Sequence, residues 1–313
     1  MISRRSWLFG LVAIAAAVLL PKHSSAAAAP TGLTVSPAFQ MVSIPAGADK
    51  VPVSFSITNN RPVAQSLSFA VQDFNTLDES GGLFFVGTNP TALQKKYGLA
   101  KWASLSSAQT VIQPKQTFKL NASILNLPDL SPGGHYGALM ISLGGNSTSG
   151  QIALHPIASS LMFVTKPQGA IYSMDLASVH FKRSLLHIPA DVTLRFINNG
   201  NTHLIPRGEV SLKAPSGQLV SKGIINQNSS ILLPGHYRDY KVHLNNVEHI
   251  NKSGKYTLRV DYRFDGFNDF RSYQSSFWHI PLAYFLVILL IVVMVCGLLI
   301  RKKLFVRPKR SKE

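Results

Sequence analysis

Val51-Pro-Val-Ser-Phe-Ser-Ile-Thr-Asn-Asn60 puts Val51, Val53, Phe55 and Ile57 on one face of an extended chain and then stops at two asparagines. A period of two is the pattern of a half-buried strand, and an asparagine pair closes it into a turn. The second half of the chain answers with Ile188-Pro-Ala-Asp-Val-Thr-Leu-Arg-Phe-Ile-Asn-Asn199. Farther on, Ile112-Gln-Pro114 precedes a strand, a loop and Gly134-His-Tyr136, while Leu233-Pro-Gly235 leads through the same arrangement to Gly254-Lys-Tyr256. Pro114 and Pro234 are 120 residues apart, and so are Tyr136 and Tyr256. Two domains of one kind in tandem are the economical account. The expected fold is all-β, two tandem Ig-like β-sandwiches over residues 30–166 and 167–277, with a C-terminal transmembrane α-helix. Asn59, Asn60, Asn198 and Asn199 mark the repeated turn. Pro132, Gly133, Gly134, His135 and Tyr136, echoed by Gly254 and Tyr256, mark a late strand in which the tyrosine is expected to pack at the sandwich corner.

Outward from this repeat, the two ends of the chain read as targeting and anchoring signals. Arg4 and Arg5 precede an apolar run from Trp7 to Leu20, and the small-residue tract Ser24 to Ala29 follows, so residues 1–29 read as a removable signal peptide. Either general secretion or twin-arginine export fits the Arg4-Arg5 pair. Ile280 to Ile300 carries no charge over 21 residues, enough for a helix of about 31 Å. Residues 278–300 are therefore expected to span a membrane once. The tail 301–313 carries Arg301, Lys302, Lys303, Arg307, Lys309, Arg310 and Lys312 and is placed on the cytoplasmic side, leaving both domains extracellular. Only residues 272–277 are expected to separate the last strand from the span.

Composition removes several function classes. The net charge of +17 comes from 31 Lys and Arg against 14 Asp and Glu. Three of the basic residues lie in the leader and seven in the tail, leaving 21 against 13 outside, a mild +8 that is no nucleic-acid footprint. The single cysteine, Cys296, falls inside the expected span, so no intrachain disulfide forms. No H-E-x-x-H, G-x-S-x-G, phosphate-loop or dinucleotide-binding pattern stands in a suitable context. The histidines are scattered without metal spacing, and Asp261 to Asp269 fits a hairpin turn better than a calcium loop. No catalytic residue, metal or cofactor is assigned, and the chain is read as a binding protein and not an enzyme.

The order Ser36-Pro37, Pro45-Ala-Gly47, Ile57-Thr-Asn-Asn60, Asp73-Phe74, Gly81-Gly82, Leu99-Ala-Lys-Trp102, Ile112-Gln-Pro114 and Leu130-Ser-Pro-Gly-Gly-His-Tyr-Gly-Ala138 resembles the peptidoglycan-binding domain of the WxL-interacting protein family, over about residues 33 to 165. The resemblance implies a membrane-anchored surface protein. Its first domain would contact peptidoglycan or another wall glycan, and its second would contact a partner such as a WxL-type protein.

The insertion Asp73 to Ala108 breaks the strand rhythm and supplies the candidate ligand residues Phe84, Phe85, Tyr97 and Trp102 beside Lys95, Lys96 and Lys101. Aromatic faces stacked on sugar rings, with cations toward carboxylate or phosphate, are what a wall-glycan site needs. Plugging an open sandwich end is the competing role for the same rings. The main expectation is a cell-surface adhesion scaffold. The alternative is an extracytoplasmic chaperone or assembly factor that binds secreted clients by β-strand addition, and an exposed edge strand with alternating apolar pockets would favour it.

Overall fold

The computed structural model describes residues 32–144 and 156–305. The expected signal peptide and residues 306–313 of the basic tail lie outside the described residues. The chain is mostly β. In the first half run β1 (Leu33–Ser36), β2 (Phe39–Ser43), β3 (Lys50–Asn59), β4 (Gln65–Thr76), β5 (Leu83–Phe85), α1 (Ala92–Tyr97), β6 (Ala103–Leu105), β7 (Gln109–Ile112), β8 (Thr117–Leu125), β9 (Gly133–Leu143) and β10 (Pro156–Lys166). In the second run β11 (Met174–Phe181), β12 (Asp191–Asn198), β13 (Pro206–Lys213), β14 (Leu219–Ile225), β15 (Tyr237–His243), β16 (Asn245–Asn246), β17 (Gly254–Phe264), β18 (Arg271–His279) and finally α2 (Leu282–Phe305).

Each half is a two-sheet sandwich. In the first, β1-β3-β8-β6 face β2-β10-β9-β4-β5, with β7 also paired to β4. In the second, β11-β12-β15 face β16-β14-β13-β17-β18. The alternation at Val51 to Asn60 is realised: Val53, Phe55, Ile57 and Asn59 are buried and the residues between them are not. Inward-facing Phe55, Ile57, Leu67, Phe69, Leu120, Leu139, Ile141, Met162 and Val164 fill the first core. Val192, Leu194, Phe196, Val210, Leu212, Tyr256, Leu258 and Val260 fill the second.

The asparagine repeat extends to individual hydrogen bonds. Asn59, fully buried at the end of β3, donates through Nδ2 to Val63 O at 2.8 Å and Ile112 O at 3.0 Å and accepts from Arg61 N at 3.0 Å. Asn198, fully buried at the end of β12, donates to Thr202 O at 2.7 Å and Leu232 O at 3.0 Å and accepts from Gly200 N at 2.9 Å. The next residues match too, since Asn60 reaches Thr34 and Asn199 reaches Asp175 on the strand alongside. Lys115 and Gly235, one residue past Pro114 and Pro234, both have positive φ, 62° and 74°, and both send their N–H to the buried asparagine's own carbonyl.

The tyrosine equivalence does not hold. Tyr256 packs inside the second sandwich and donates to Lys252 O at 2.9 Å, four residues back. The residue bonded four back in the first sandwich is His135, whose Nε2 lies 2.8 Å from Ser131 O. Gly133 and Gly254, both at positive φ, are 121 residues apart and fix the true offset in this strand. One residue of slip turns a side chain to the other face of a sheet. Tyr136 consequently leaves the first core and points toward the second sandwich.

The C-terminal end also departs from expectation. Residues 272–277 are no linker: they lie in β18, paired with β17 from Tyr262↔Arg271 to Gly254↔His279. Pro281, lacking an N–H, stands just before the helix, where that lack costs nothing. α2 is long and apolar enough to cross a membrane, and its side chains are exposed from Leu282 to Arg301.

Candidate functional site

The sheet containing β9 is apolar on both faces. Its ten residues from Gly133 to Ser142 are all buried, with Leu139 and Ile141 turned into the first core and Tyr136, Ala138 and Met140 turned away from it. β10 divides likewise, Met162 and Val164 inward, Leu161 and Phe163 outward. On the outer face Phe74, Tyr97, Tyr136, Ala138, Met140 and Phe163 form a second apolar layer, completed by Leu233 and Ile231 from the loop between β14 and β15. This layer joins the two sandwiches. Phe163 makes edge contacts with Phe74 at 5.3 Å and Tyr136 at 5.8 Å, and its ring lies 5.6 Å from that of His203, across the joint.

The β4–β5 hairpin braces the joint from one side. Glu79 O accepts from Asp239 N at 2.8 Å, so the hairpin tip leans on β15. Gly81, at φ 88°, lies so close against the Arg238 guanidinium that a Cβ there would collide with it. Arg238 in turn donates to Ile231 O at 2.6 Å.

Coverage of the apolar layer is incomplete beside β2. A pocket of about 220 Å³ opens there, lined chiefly by Phe39, Leu83, Leu161, Phe163, Ile231 and Leu233, with Arg238 at its rim. It adjoins a polar cleft of about 790 Å³ between the hairpin tip, Asp78 to Ser80, and the β14–β15 face of the second sandwich; both share Asn228, Ser230 and Arg238. β2 itself is an edge strand, paired in parallel with β10 from Leu161↔Phe39 to Thr165↔Ser43 and, among the described residues, with no strand on its other side. Ala38 O accepts from Leu161 and Ile44 N donates to Thr165, so even-numbered residues direct their backbone groups to β10. Phe39, Met41 and Ser43 therefore present N–H and C=O to the open edge. Phe39 and Met41 are 54% and 46% exposed.

The residues expected to bind glycan do not converge. Tyr97 is 8% exposed, its ring 6.3 Å from that of Tyr136 in the layer between the sandwiches. Trp102 is 7% exposed in the first core and donates to Asp129 at 3.2 Å. Lys101 pairs with the same Asp129 at 2.5 Å, while Lys95 and Lys96 lie exposed on the last turn of α1. Phe84 is half-buried and Phe85 exposed on opposite faces of β5. The insertion closes apolar compartments, and Asp73 fixes it by accepting from Leu99 N at 2.7 Å and Ala100 N at 2.6 Å. Lys96 Nζ lies 5.2 Å from the centre of the Tyr97 ring and Lys101 Nζ 5.3 Å from that of Trp102, but both rings are buried. Among the described residues no group of three or more His, Cys, Asp or Glu is placed to hold a metal ion. Asp261 and Asp265 are engaged by Arg259 and Arg207, on a hairpin as expected. Phe39, Met41, Leu161, Phe163, Ile231 and Leu233 are not among the candidate ligand residues that the sequence offers. Their signal was the unbroken apolar run Leu161-Met-Phe-Val164, which marks a strand buried on both faces.

His203 gives the joint a pH dependence. Burial between the sandwiches pushes its pKa down from 6.5 to about 4, and Nδ1 is buried without a hydrogen-bond partner among the described residues. Between those values the unfolded chain takes up a proton that the folded one refuses, so stability is complete above pH 6.5 and falls as pH drops toward 4. The loss reaches at most ~3 kcal/mol. Thermal melts between pH 6.5 and 5, above the carboxylate range, should show the decline, and His203→Phe should flatten it. His236, also pushed down by burial, retains a smaller slope.

No protein-family model matches the sequence, and no curated protein matches it. Among solved structures the chain is similar to a chaperone–tip adhesin complex of CFA/I fimbriae biogenesis, at 10% identity and a TM-score of 0.43, covering 80% of this chain and 99% of that one. It is also similar to the class 5 fimbriae chaperone CfaA, at 9% identity and a TM-score of 0.42 over 80% and 99% of the two chains. A third is the CsuC–CsuE chaperone–tip adhesion subunit pre-assembly complex of Acinetobacter baumannii, at 11%, 0.35, and 80% and 99%. These findings correct the resemblance drawn from the sequence. These three structures are of fimbrial chaperones and their complexes, not of WxL-interacting proteins, and they contradict peptidoglycan or wall glycan as ligand, a WxL-type partner and an adhesion scaffold.

Proposed function

We propose that the chain is a membrane-tethered chaperone or assembly factor that holds an extended segment of a secreted client by adding it as a strand to β2. One observation carries this reading: an edge strand that no other described strand covers, with two exposed apolar side chains, opens directly onto an apolar pocket between two sandwiches. Backbone groups of Phe39, Met41 and Ser43 pair with the client main chain, which gives affinity without regard to sequence. Every second client residue then faces the Phe39 and Met41 side of the sheet, and an apolar one enters the pocket against Phe163 and Leu233. Each sandwich is of the Ig-like kind and neither performs chemistry; binding is the activity. α2 spans the membrane with Arg301, Lys302 and Lys303 on the cytoplasmic side, which places the cleft in the compartment where exported chains emerge unfolded.

Met41→Pro tests this on the full chain in lipid nanodiscs. Proline removes an N–H that no described strand uses, at an edge where proline is tolerated. Binding of an extended, alternately apolar peptide should weaken about tenfold, the loss of roughly one hydrogen bond and its neighbours' alignment. The melting temperature should stay close to that of the unaltered chain. Undiminished binding with the fold intact would remove β2 as the site.

A further inference from the structure

The end of the second sandwich nearest α2 carries a surface that client binding does not use. The N–H of Ile280, two residues before α2 begins, donates to Leu185 O at 2.6 Å and ties the β11–β12 loop to the head of the helix. Leu185 is 57% exposed at that level and Trp278 61% exposed at the end of β18. Beneath the loop, Ser184, Leu185, Leu186, Ile280 and Phe285 line an apolar cavity of about 330 Å³ that continues onto the helix. Basic residues surround these apolar ones. Lys182 and Arg183 lead into the loop, Arg183 lying over the Phe181 ring at 5.2 Å, and exposed Lys255 stands directly opposite Trp278 in the β17–β18 ladder. Lys213, opposite Thr257 in the β13–β17 ladder, and Lys252, whose N–H donates to the Tyr256 hydroxyl, belong to the same end, as do Glu248, whose N–H donates to Val220 O, and Asp191, which His243 holds at 2.9 Å.

We infer that this end of the second sandwich docks on an anionic lipid bilayer surface, Leu185 and Trp278 entering the headgroup boundary and the Lys182, Arg183 and Lys255 side chains meeting lipid phosphates. The inference rests on reading α2 as a membrane span, which fixes the depth of anything bonded to Ile280. The apolar part of the helix starts at Leu282, so a loop hydrogen-bonded at residue 280 sits at the bilayer's interface and not above it. An indole at that level is in its preferred environment. Lysine and arginine just outside the hydrocarbon are drawn to anionic headgroups, and exposed leucine beside them is the composition of an interfacial contact. The physical consequence is orientation. A sandwich seated at two points, helix and loop, holds the cleft at a fixed height and angle above the membrane.

The test labels the full chain at single cysteines in a Cys296→Ala background, each carrying an environment-sensitive dye, in bilayers of phosphatidylcholine with and without phosphatidylglycerol and with a quencher on the lipid. Leu185→Cys reports the loop, Val292→Cys the middle of the helix, and Ile224→Cys the cleft side of the second sandwich. Quenching is expected at 292 in both bilayers, at 185 more strongly with phosphatidylglycerol, and not at 224. Lys182→Glu with Lys255→Glu should lower the anionic increment at 185 by about twofold and leave 292 unchanged. A quenched 292 with 185 open to aqueous quencher overturns the docking surface while the span stands. An unquenched 292 overturns the span and the docking with it. Protection of 185 that rises with protein density instead of lipid charge would assign the patch to a second protein chain and equally overturn the proposal.

Discussion

Phe163→Ala should remove about 3–5 kcal/mol, the usual loss for a buried phenylalanine, and should do so at the joint between the sandwiches. Phe163 touches rings from three directions within its own domain, Phe39 at 6.4 Å, Phe74 and Tyr136, and meets His203 of the other domain. Its neighbour Met162, fully buried, faces the opposite side of the sheet and belongs to the first core alone. Met162→Ala should cost about 2–5 kcal/mol, so the two substitutions are matched in size and differ in which compartment they empty. Hydrogen exchange separates them. Phe163→Ala should speed exchange at Asp239 N, whose acceptor Glu79 O belongs to the bracing hairpin, and in the 231–233 stretch. Met162→Ala should leave those amides slow and loosen β3 and β8 instead. Peptide binding should fall with Phe163→Ala because the pocket wall is gone. If both variants loosen the same amides, the outer layer is not an independent joint.

Why the joint escaped the sequence can be traced to single residues. Strands with one wet face announce themselves by alternation, and Val51 to Ile57 or Val192 to Phe196 were legible for that reason. β9 has two dry faces, and Tyr136-Gly-Ala-Leu-Met-Ile141 gives no sign of which compartment each residue enters. Alignment on Tyr136 and Tyr256 followed the chemically similar residue, whereas the structure aligns on Gly133 and Gly254, the positions that need positive φ. The corner role of Tyr256 passed to His135, a different side chain making a bond of the same reach. Tyr136, freed from the first core, became part of the layer that joins the domains. The insertion was legible as an interruption but not in its role. Tyr97 and Trp102 lie five residues apart, yet they enter different apolar layers, with extended Gly98 and the single 3-10 turn Ala100–Trp102, its start held by Asp73, between them. The edge of β2 was invisible for another reason. Openness of an edge depends on which strands pair, and β2 leaves its sequence neighbour β1 in one sheet to join β10 in the other.

Asn198→Ala and Asn59→Ala should each cost about 2–4 kcal/mol, because either removes a fully buried side chain that makes at least three hydrogen bonds to the backbone around its turn; in the second sandwich Leu232 O keeps Leu204 N as a donor at 3.0 Å, while Thr202 O and Gly200 N lose the bond described above. For domains of this size that corresponds to a fall in melting temperature on the order of 10 °C. Asn198→Asp should be no milder at neutral pH. The oxygen that replaces Nδ2 would face Thr202 O and Leu232 O, acceptors that cannot bond to it, and only the bond from Gly200 N would survive. The two asparagines make the same bonds in the two sandwiches, so their stability losses should match. Their effects on binding should not. Leu232, the acceptor for Asn198, immediately precedes Leu233, which lines the pocket against Phe163, and the same loop supplies Ile231, which lines that pocket too and whose carbonyl accepts from Arg238 of β15. Ile112, the acceptor for Asn59, ends β7, remote from that pocket. Asn198→Ala should therefore weaken peptide capture at temperatures well below its melting transition, and Asn59→Ala should leave capture near that of the unaltered chain until it melts. Equal loss of capture in both variants would mean that binding tracks global stability and that the loop from Asn226 to His236 does not shape the site. A loss confined to Asn198→Ala would tie the buried turn of the second sandwich to the pocket through one carbonyl, and would show that a device repeated for stability has been put to work in only one of its two copies.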